Sequence, residues 1–320
     1  MSERKIIISQ NIEETLYNKV KSVIPDWTIV TGREPSIWKR HVEDAEIIVG
    51  WKKEMKEIVV NQDVNLKWIQ SWSAGINSFP LNELLTKQIK VTTANGVHAF
   101  PISETIFALM LGFTRKIHTY VKQQQKQTWH HAFMNQEIHG KTVGIIGVGK
   151  IGRETAKIAK AFGMTVLGIR HSGKAEEFVD EMYPISALHS VLPRCDFVIL
   201  ALPLTEKTKG LFGKQEFQSM KSSAFFINIG RGPIVVENEL IEALENNKIA
   251  GAGLDVFEIE PLPENSPLWH MENVIITPHT SGSTEYYNKR VIEEIFIPNL
   301  IAYLSGHELP INLLDFEKGY

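Results

Sequence analysis

Lys141–Gly163 reads KTVGIIGVGKIGRETAKIAKAFG, and no other stretch constrains the fold as tightly. The apolar run Thr142–Ile146 predicts a buried strand. Gly147, Gly149 and Gly152 then form a G-x-G-x-x-G turn, directly before an amphipathic helix and a second apolar run at Thr165–Ile169. The three glycines serve different ends. The first permits the tight turn, the second lets a pyrophosphate approach the backbone, and the third lets helix and strand pack closely. The anion then meets the positive end of the helix dipole. A lone glycine pattern is weak evidence, but here strand, turn, helix and second strand are all in place, which predicts dinucleotide binding. S-adenosylmethionine is the competing ligand for this motif.

Downstream of the motif, apolar runs recur at Phe197–Ala201, Ala224–Ile229, Gly251–Asp255 and Val274–Thr277, extending the series begun at Thr142. Most of these runs are apolar throughout, as parallel strands covered on both faces should be. Upstream, shorter β-branched runs at Lys5–Ile8, Thr28–Val30, Glu46–Val49, Lys67–Ser71 and Lys90–Thr93 predict a smaller α/β domain. Between the two series, Ile106, Leu109, Met110, Phe113 and Ile117 have helical spacing within Ser103–Gln127, which fades into QQQKQTWHH. One long helix with a loop is expected there, its glutamines forming a solvated face. Thr284–Leu304 is again helix-like.

A chain of 320 residues exceeds the usual size of one hydrophobic core, so two domains are expected. Its 43% hydrophobic and 22% charged residues are those of a folded protein. A net charge of −3 offers no excess of cations to a nucleic acid or an anionic membrane, so neither partner is expected and a small molecule is. Cys195 is the single cysteine, which excludes an internal disulfide or a multi-cysteine metal site and suits a reducing compartment. The four-residue apolar run near the N-terminus is too short for a signal core or a membrane span, so a cytoplasmic location is expected.

The end of the second strand is where an NAD enzyme offers an acid to the ribose hydroxyls. This chain has Ile169-Arg170-His171-Ser172 instead. A guanidinium with neighbouring donors suits a 2′-phosphate, which makes NADP(H) the expected cofactor with NAD(H) as the second choice. The bland reading of Arg170 is a solvated strand-end residue.

Three further segments each follow a predicted strand: Asn228-Ile229-Gly230-Arg231-Gly232, Leu254-Asp255 through Glu260-Pro261-Leu262, and Thr277-Pro278-His279-Thr280-Ser281-Gly282. In an open α/β sheet the ligand crevice lies at the carboxyl ends of the strands, so these segments should converge there, with Ile229, Gly230 and Gly282 beside the cofactor. Reducing a 2-keto acid requires a cation to hold the substrate and polarise its carbonyl, a hydride donor, and an acid for the developing alkoxide. Arg231 and His279 are the candidates for cation and acid. Glu260 would bond one ring nitrogen of His279, fixing its tautomer and favouring the imidazolium. Taken singly, the three have ordinary readings as a helix cap, a turn carboxylate and a packed loop histidine; their joint placement at successive strand ends does not. The other histidines show no metal-ligand spacing, so no metal is expected, and His130 and His131 read as surface residues.

With GVGKIG, ALPLTEKTKG, NIGRG, LDVFEIEPLP and TPHTSG in that order, the chain resembles the D-isomer-specific 2-hydroxyacid dehydrogenases over nearly its whole length. The resemblance implies an α/β fold of two Rossmann/flavodoxin-like doubly wound parallel-sheet domains, with the cofactor domain (101–287) inserted into the substrate domain (1–100 plus 288–320). It implies that backbone amides in Ser73-Ala74-Gly75-Ile76-Asn77, chiefly those of Ala74 and Gly75, hold the substrate carboxylate. Lys150 and Ile151 would lie over the pyrophosphate, Pro203 and Thr208 near the adenosine half, and Asp255 by the nicotinamide carboxamide. A homodimer formed through the helix around Ser103–His131 is also implied. Two departures stand out: Thr280-Ser281 where many relatives carry Ile-Ala or Ile-Gly, and the individual loop Gly50-Trp51-Lys52-Lys53, whose Trp51 is read either as a cover for the substrate or as a core residue.

The activity expected from these residues is NADPH-linked reduction of a small 2-keto acid of the glyoxylate or hydroxypyruvate type to a D-2-hydroxy acid. Phosphoglycerate oxidation is an alternative, disfavoured by the lack of a regulatory domain after residue 320. Formate chemistry is disfavoured because the family's formate enzymes carry Gln where Glu260 stands. The alternative of a different class is a dinucleotide-sensing, corepressor-like binding protein.

Overall fold

Two separate parallel sheets account for the strand series, one in each of two units. The computed structural model describes residues 4–76, 78–131 and 136–316. Unit 1 runs to Val97 and resumes at Thr284, and unit 2 is His98–Ser283, so the second is inserted in the first.

Unit 1 alternates β1 (Lys5–Ile8), α1 (Glu14–Val23), β2 (Thr28–Thr31), α2 (Pro35–Trp38), β3 (Ile47–Val49), α3 (Met55–Asn61), β4 (Trp68–Gln70), α4 (Leu81–Thr86) and β5 (Lys90–Thr92). The five strands pair in the order β2-β1-β3-β4-β5, and the ladders are parallel. Successive strand residues point to opposite faces. Ile7, Ile48 and Ile69 therefore meet Trp38 and Leu84 on one side, while Ile6, Ile8, Ile47 and Trp68 meet Leu16, Val20, Phe296 and Leu300 on the other. Both faces are buried, which is why β1 has no polar alternation; each such isoleucine contributes about 1.5–3 kcal/mol. The C-terminal helix supplies Phe296 and Leu300. It is α-helical over Tyr287–Lys289, π-helical over Arg290–Phe296 and α-helical again over Ile297–Leu304, a change of pitch that the apolar spacing of Thr284–Leu304 did not announce.

Unit 2 opens with α5 (Ala99–Thr114) and α6 (Ile117–Gln125), and continues with β6 (Thr142–Ile146), α7 (Lys150–Ala161), β7 (Thr165–Ile169), β8 (Glu181–Tyr183), α8 (Leu188–Val191), β9 (Phe197–Leu200), α9 (Lys214–Ser219), β10 (Phe225–Asn228), α10 (Glu237–Glu245), β11 (Gly251–Leu254) and β12 (Val274–Ile276). The sheet order is β12-β11-β10-β9-β6-β7-β8. The chain leaves β6 in one direction through β7 and β8, then resumes on its other flank at β9. The strand order therefore reverses between β6 and β9, and the ligand crevice of such a sheet opens at that reversal.

The fold corrects two expectations from the sequence. The single helix read over Ser103–Gln127 is two helices, broken where Lys116 takes a left-handed φ of 56°. The His118 ring bonds the Gly112 carbonyl at the end of α5 (3.0 Å), and Ile117 is consequently 53% exposed while Ile106, Leu109, Met110 and Phe113 are buried. The edge strand β8 was not anticipated, because Glu-Met-Tyr has neither an apolar run nor alternation; it is set by pairing with β7, Leu167 against Glu181.

α5 is buried almost all round. It packs on α7, where Ser103 and Thr155 share a hydrogen bond of 3.0 Å, and its Leu109 lies against Gly253 of β11. Cys195 lies in the core with its thiol on the Val191 carbonyl, and burial pushes its pKa up to about 12, which removes it from thiolate chemistry. Among the described residues, no helix is long and apolar enough to cross a membrane.

Candidate active site

The glycine turn sits at the strand reversal. Gly147, at the end of β6, has φ of 110°, and a Cβ there would lie 2.7 Å from the Ala201 carbonyl at the end of β9. A Cβ on Gly152 would meet the Gly147 carbonyl at 2.4 Å, which fixes the approach of α7 to the turn. Gly149 differs from both: it precedes α7 in extended conformation, and nothing lies within 4 Å of its Cβ position. Two of the glycines are thus required by the protein's own packing, and the middle one faces open space at a helix N-terminus. This is the arrangement a pyrophosphate needs, so the residues fit a dinucleotide. Lys150 is exposed and Ile151 half-buried in the first turn of α7.

The neighbouring strand ends supply the remaining expected positions. Ile229 is buried, and a Cβ on Gly230 would meet the Leu202 carbonyl at 2.8 Å, so the turns after β9 and β10 are in contact. Pro203 is exposed, and its carbonyl accepts from Thr208 Oγ1 at 2.7 Å; the same hydroxyl accepts from the Thr205 amide at 2.8 Å, which organises that loop. Gly282 bonds through its carbonyl to His98 Nδ1 (2.9 Å).

Arg170, just past β7, is not an isolated cation. Its Nη1 lies 3.0 Å from Glu176 Oε2, and Arg153 Nη2 reaches the same oxygen at 2.8 Å. Arg170 Nη2 donates to the Ala175 carbonyl (3.4 Å), whereas its Nε is buried and makes no hydrogen bond. His171 and Ser172 are exposed beside it. Burial would raise the Glu176 carboxyl, but the two guanidiniums hold it below the usual carboxylate range. Sequence reasoning missed Arg153 and Glu176, although Arg153 stands one residue after the glycine motif.

The turns after β10, β11 and β12 interlock. Arg231 is extended (φ −145°, ψ 142°) and exposed, with Nη1 on the Gly230 carbonyl at 2.7 Å. The next residue, Gly232, presses on the β11 turn so closely that a Cβ would fall 1.8 Å from the Phe257 carbonyl oxygen. The Phe257 amide in turn donates to Glu260 Oε1 (3.0 Å), and Glu260 Oε2 lies 2.7 Å from His279 Nδ1. A chain of contacts therefore runs from the residue beside Arg231 through Phe257 and Glu260 to His279. Burial would raise Glu260, but the His279 ring and the Phe257 amide more than offset it, so this carboxyl stays ionised below its ordinary range. The histidine and glutamate side chains are 48% and 35% exposed, and a pair so wetted contributes at most about 1 kcal/mol to folding. Its consequence is orientational: with Nδ1 committed to Glu260, Nε2 is the ring atom left to exchange a proton.

His279 also carries the turn's strain, with φ of 52°. Asp255, wholly buried, holds it there. Its Oδ1 accepts from Thr277 Oγ1 (2.6 Å) and the Thr280 amide (2.9 Å); the Ser281 amide reaches both oxygens (3.2 Å), and the Ser281 hydroxyl donates to Oδ2. Strain of about 1–3 kcal/mol persists only where surrounding bonds over-determine it. The Ser281 that marked a departure from the family pattern is thus one of the bonds that do so.

In unit 1, Trp51 follows β3 at that sheet's own reversal between β1 and β3. Ser9 bonds the Gly50 carbonyl there (2.6 Å), and Gly50 has φ of 91°. The Trp51 ring stacks on Phe79 at 5.2 Å and is half-buried, so it belongs partly to the unit's core. Ala74 and Gly75 are exposed in the loop after β4, which is braced by Ser71 Oγ on the Ser73 carbonyl and Ser73 Oγ on the Gly75 carbonyl (both 2.8 Å). Asn77 lies outside the described residues. Among the described residues no group of three or more His, Cys, Asp or Glu side chains is arranged to hold a metal. His130 and His131 are exposed.

A nucleotide-binding type of α/β unit with a carboxylate-oriented histidine at its strand ends is an arrangement an oxidoreductase could use. Residues 107–281 match the family model described as D-isomer specific 2-hydroxyacid dehydrogenase, NAD binding domain. The chain is 35% identical over 290 residues to glyoxylate/hydroxypyruvate reductase B of Escherichia fergusonii, covering 88% of this chain and 89% of that one. It is also 35% identical over 260 residues to glyoxylate reductase of Korarchaeum cryptofilum, covering 79% and 77%. Among solved structures, a D-isomer-specific 2-hydroxyacid dehydrogenase family protein from Aeromonas salmonicida superposes with a TM-score of 0.84 at 31% identity over 98% of this chain and 100% of that one. An NADPH-dependent glyoxylate/hydroxypyruvate reductase from Sinorhizobium meliloti, in complex with NADP and sulfate, gives 0.79 at 26% identity over 99% and 100%. The chain belongs to the D-isomer-specific 2-hydroxyacid dehydrogenase family. It is an oxidoreductase that uses a nicotinamide dinucleotide.

Proposed function

We propose that the protein is an NADPH-preferring reductase of small 2-keto acids of the glyoxylate or hydroxypyruvate type, yielding D-2-hydroxy acids. The observation that carries the catalytic part is the 2.7 Å bond between His279 Nδ1 and Glu260. When bound, the reduced cofactor supplies the hydride. Arg231 binds the keto acid and polarises its carbonyl, lowering the energy of the developing alkoxide. His279, held by Glu260, delivers the proton from Nε2 to that oxygen and takes it back in the oxidative direction. The relatives named for glyoxylate and hydroxypyruvate support the substrate class.

NADPH preference rests on Arg170 at the end of β7, where Ile169-Arg170-His171-Ser172 offers a cation in place of an acid, and on the NADP complexes of structural neighbours. The other assignments follow the same reading. Gly147, Gly149, Lys150, Ile151 and Gly152 serve the pyrophosphate; Arg170, His171 and Ser172 the 2′-phosphate; Pro203 and Thr208 the adenosine half; Ile229, Gly230, Asp255 and Gly282 the nicotinamide side. Ala74 and Gly75 are assigned to the substrate carboxylate, with Trp51 beside them. Homodimerisation belongs to the proposal too, supported by the exposed Ile117 and Val121 of α6.

The test is kinetic. NADPH oxidation is followed with glyoxylate, hydroxypyruvate, 2-ketobutyrate and 3-phosphohydroxypyruvate, and repeated with NADH. Turnover on the first two with NADPH, lost by at least a thousandfold in Arg231→Ala and His279→Ala, is expected. Wild-type rates in both variants would remove the assigned roles, and tight NADPH binding without turnover on any acid would favour a sensor.

A further inference from the structure

Two guanidiniums from different elements, Arg153 in the first turns of α7 and Arg170 at the end of β7, converge on one oxygen of Glu176 at 2.8 and 3.0 Å. The arginine side chains are 49% and 23% exposed and that of Glu176 is 13% exposed, so solvent screens the cluster only in part. Its placement points elsewhere. The end of the second strand of a nucleotide-binding half is where the adenosine ribose is recognised. The loop between Arg170 and Glu176 doubles back through Gly173, φ 60°, whose amide bonds the Arg170 carbonyl at 3.1 Å, and this lays the carboxylate over the guanidinium. One monoanion is shared by two cations, while the Nε of Arg170 has no acceptor. A phosphate monoester, with roughly two negative charges and three acceptor oxygens, matches this pair of cations better than a carboxylate does.

We propose that Glu176 is an internal competitor for the cations that recognise the adenosine 2′-phosphate, and that it sets how strongly the protein distinguishes phosphorylated from unphosphorylated adenosine ribose. This rests on the proposed recognition of the 2′-phosphate by Arg170. Glu176 keeps Arg153 and Arg170 gathered, and it leaves them when the phosphate arrives. Discrimination is then the difference between a phosphate and a tethered carboxylate on the same guanidiniums, smaller than the two arginines would give unopposed.

The experiment is calorimetric titration of the full-length protein with 2′,5′-ADP and with 5′-AMP, which need no turnover. Glu176→Gln is expected to tighten 2′,5′-ADP about tenfold, equivalent to about 1.4 kcal/mol, while 5′-AMP changes by less than twofold. Glu177→Gln, which removes the same charge from the adjacent exposed residue, should leave both within twofold. Adding Arg170→Met to Glu176→Gln should cancel the gain. Unchanged or weaker 2′,5′-ADP binding in Glu176→Gln overturns the competitor role, as does equal tightening of both ligands. A wild type that does not prefer 2′,5′-ADP refutes NADPH preference instead; if Glu176→Gln then acquires that preference, the competitor role stands, and if it does not, both readings fall.

Discussion

Replacing Asp255 with Asn changes one atom and should cost much more than an isosteric substitution ordinarily does. The carboxylate is wholly buried, and both oxygens are engaged by donors from the turn that carries His279. The amide of Asn can retain one oxygen for Thr277 Oγ1 and the Thr280 and Ser281 amides, but its nitrogen then faces the Ser281 hydroxyl and can accept nothing. That hydroxyl can rotate to accept one amide hydrogen, but its own proton and the second amide hydrogen then lack the acceptor that Oδ2 supplied, and the remaining bonds lose their charge, each being worth roughly 1.5–3 kcal/mol to a charged acceptor against about 1 kcal/mol to a neutral one. With partial relaxation, Asp255→Asn should destabilise unit 2 by about 2 kcal/mol. Asp255→Ala, which strands the Thr280 and Ser281 amides, should cost about 3–5 kcal/mol. Ser281→Ala removes a single bond and should cost about 1 kcal/mol. Urea unfolding followed by tryptophan fluorescence reads these as shifts of the midpoint, roughly 1 M for Asn at a slope of about 2 kcal/mol/M. Because the same bonds hold His279 at its left-handed φ, kcat should fall in the same order. Asp255→Asn with wild-type midpoint and wild-type kcat would refute the idea that this carboxylate locks the turn of His279.

Glycine substitutions should separate packing from ligand space. Gly149→Ala meets nothing within 4 Å and should leave the unfolding midpoint unchanged while weakening dinucleotide binding more than tenfold, measured by nucleotide fluorescence; Gly232→Ala drives a methyl to 1.8 Å from the Phe257 carbonyl and should yield a protein destabilised by several kcal/mol or unable to fold. In unit 1, burial raises the Glu46 carboxyl, but Arg4 (2.6 Å) and Tyr303 (2.7 Å) bring it below its ordinary range. Its stabilising effect is therefore full above about pH 4.5 and lost as pH falls through the lower folded value, since protonation breaks the pairing. Glu46→Gln should cost about 1 kcal/mol at pH 7, and its deficit against wild type should shrink as pH falls below about 4.5, read from thermal midpoints across the acid range.

The linear sequence was enough to give the two-sheet α/β plan, the strand Thr142–Ile146 that leads into Gly147, and the pairing of Glu260 with His279. Parallel strands buried on both faces must be apolar throughout, and turns at strand ends must use glycine or proline; both signals are local and survive in a linear string. The tight turn at Gly147 and the close packing at Gly152 were legible too, because they follow from the local strand–turn–helix pattern. What the string could not carry were relations between distant segments. Glu181–Tyr183 becomes a strand only because β7 offers it an edge. α5 and α6 part at Lys116 through a backbone conformation that no turn residue announces. Arg170 read alone was a free guanidinium awaiting a phosphate, and only the folded chain places Glu176 and Arg153 against it. Likewise Asp255 and Ser281, 26 residues apart, fix the turn of His279 through bonds made across β11 and β12. Composition and periodicity report what each segment buries, but which charges meet is decided by the path of the loops, and this chemistry depends on those meetings.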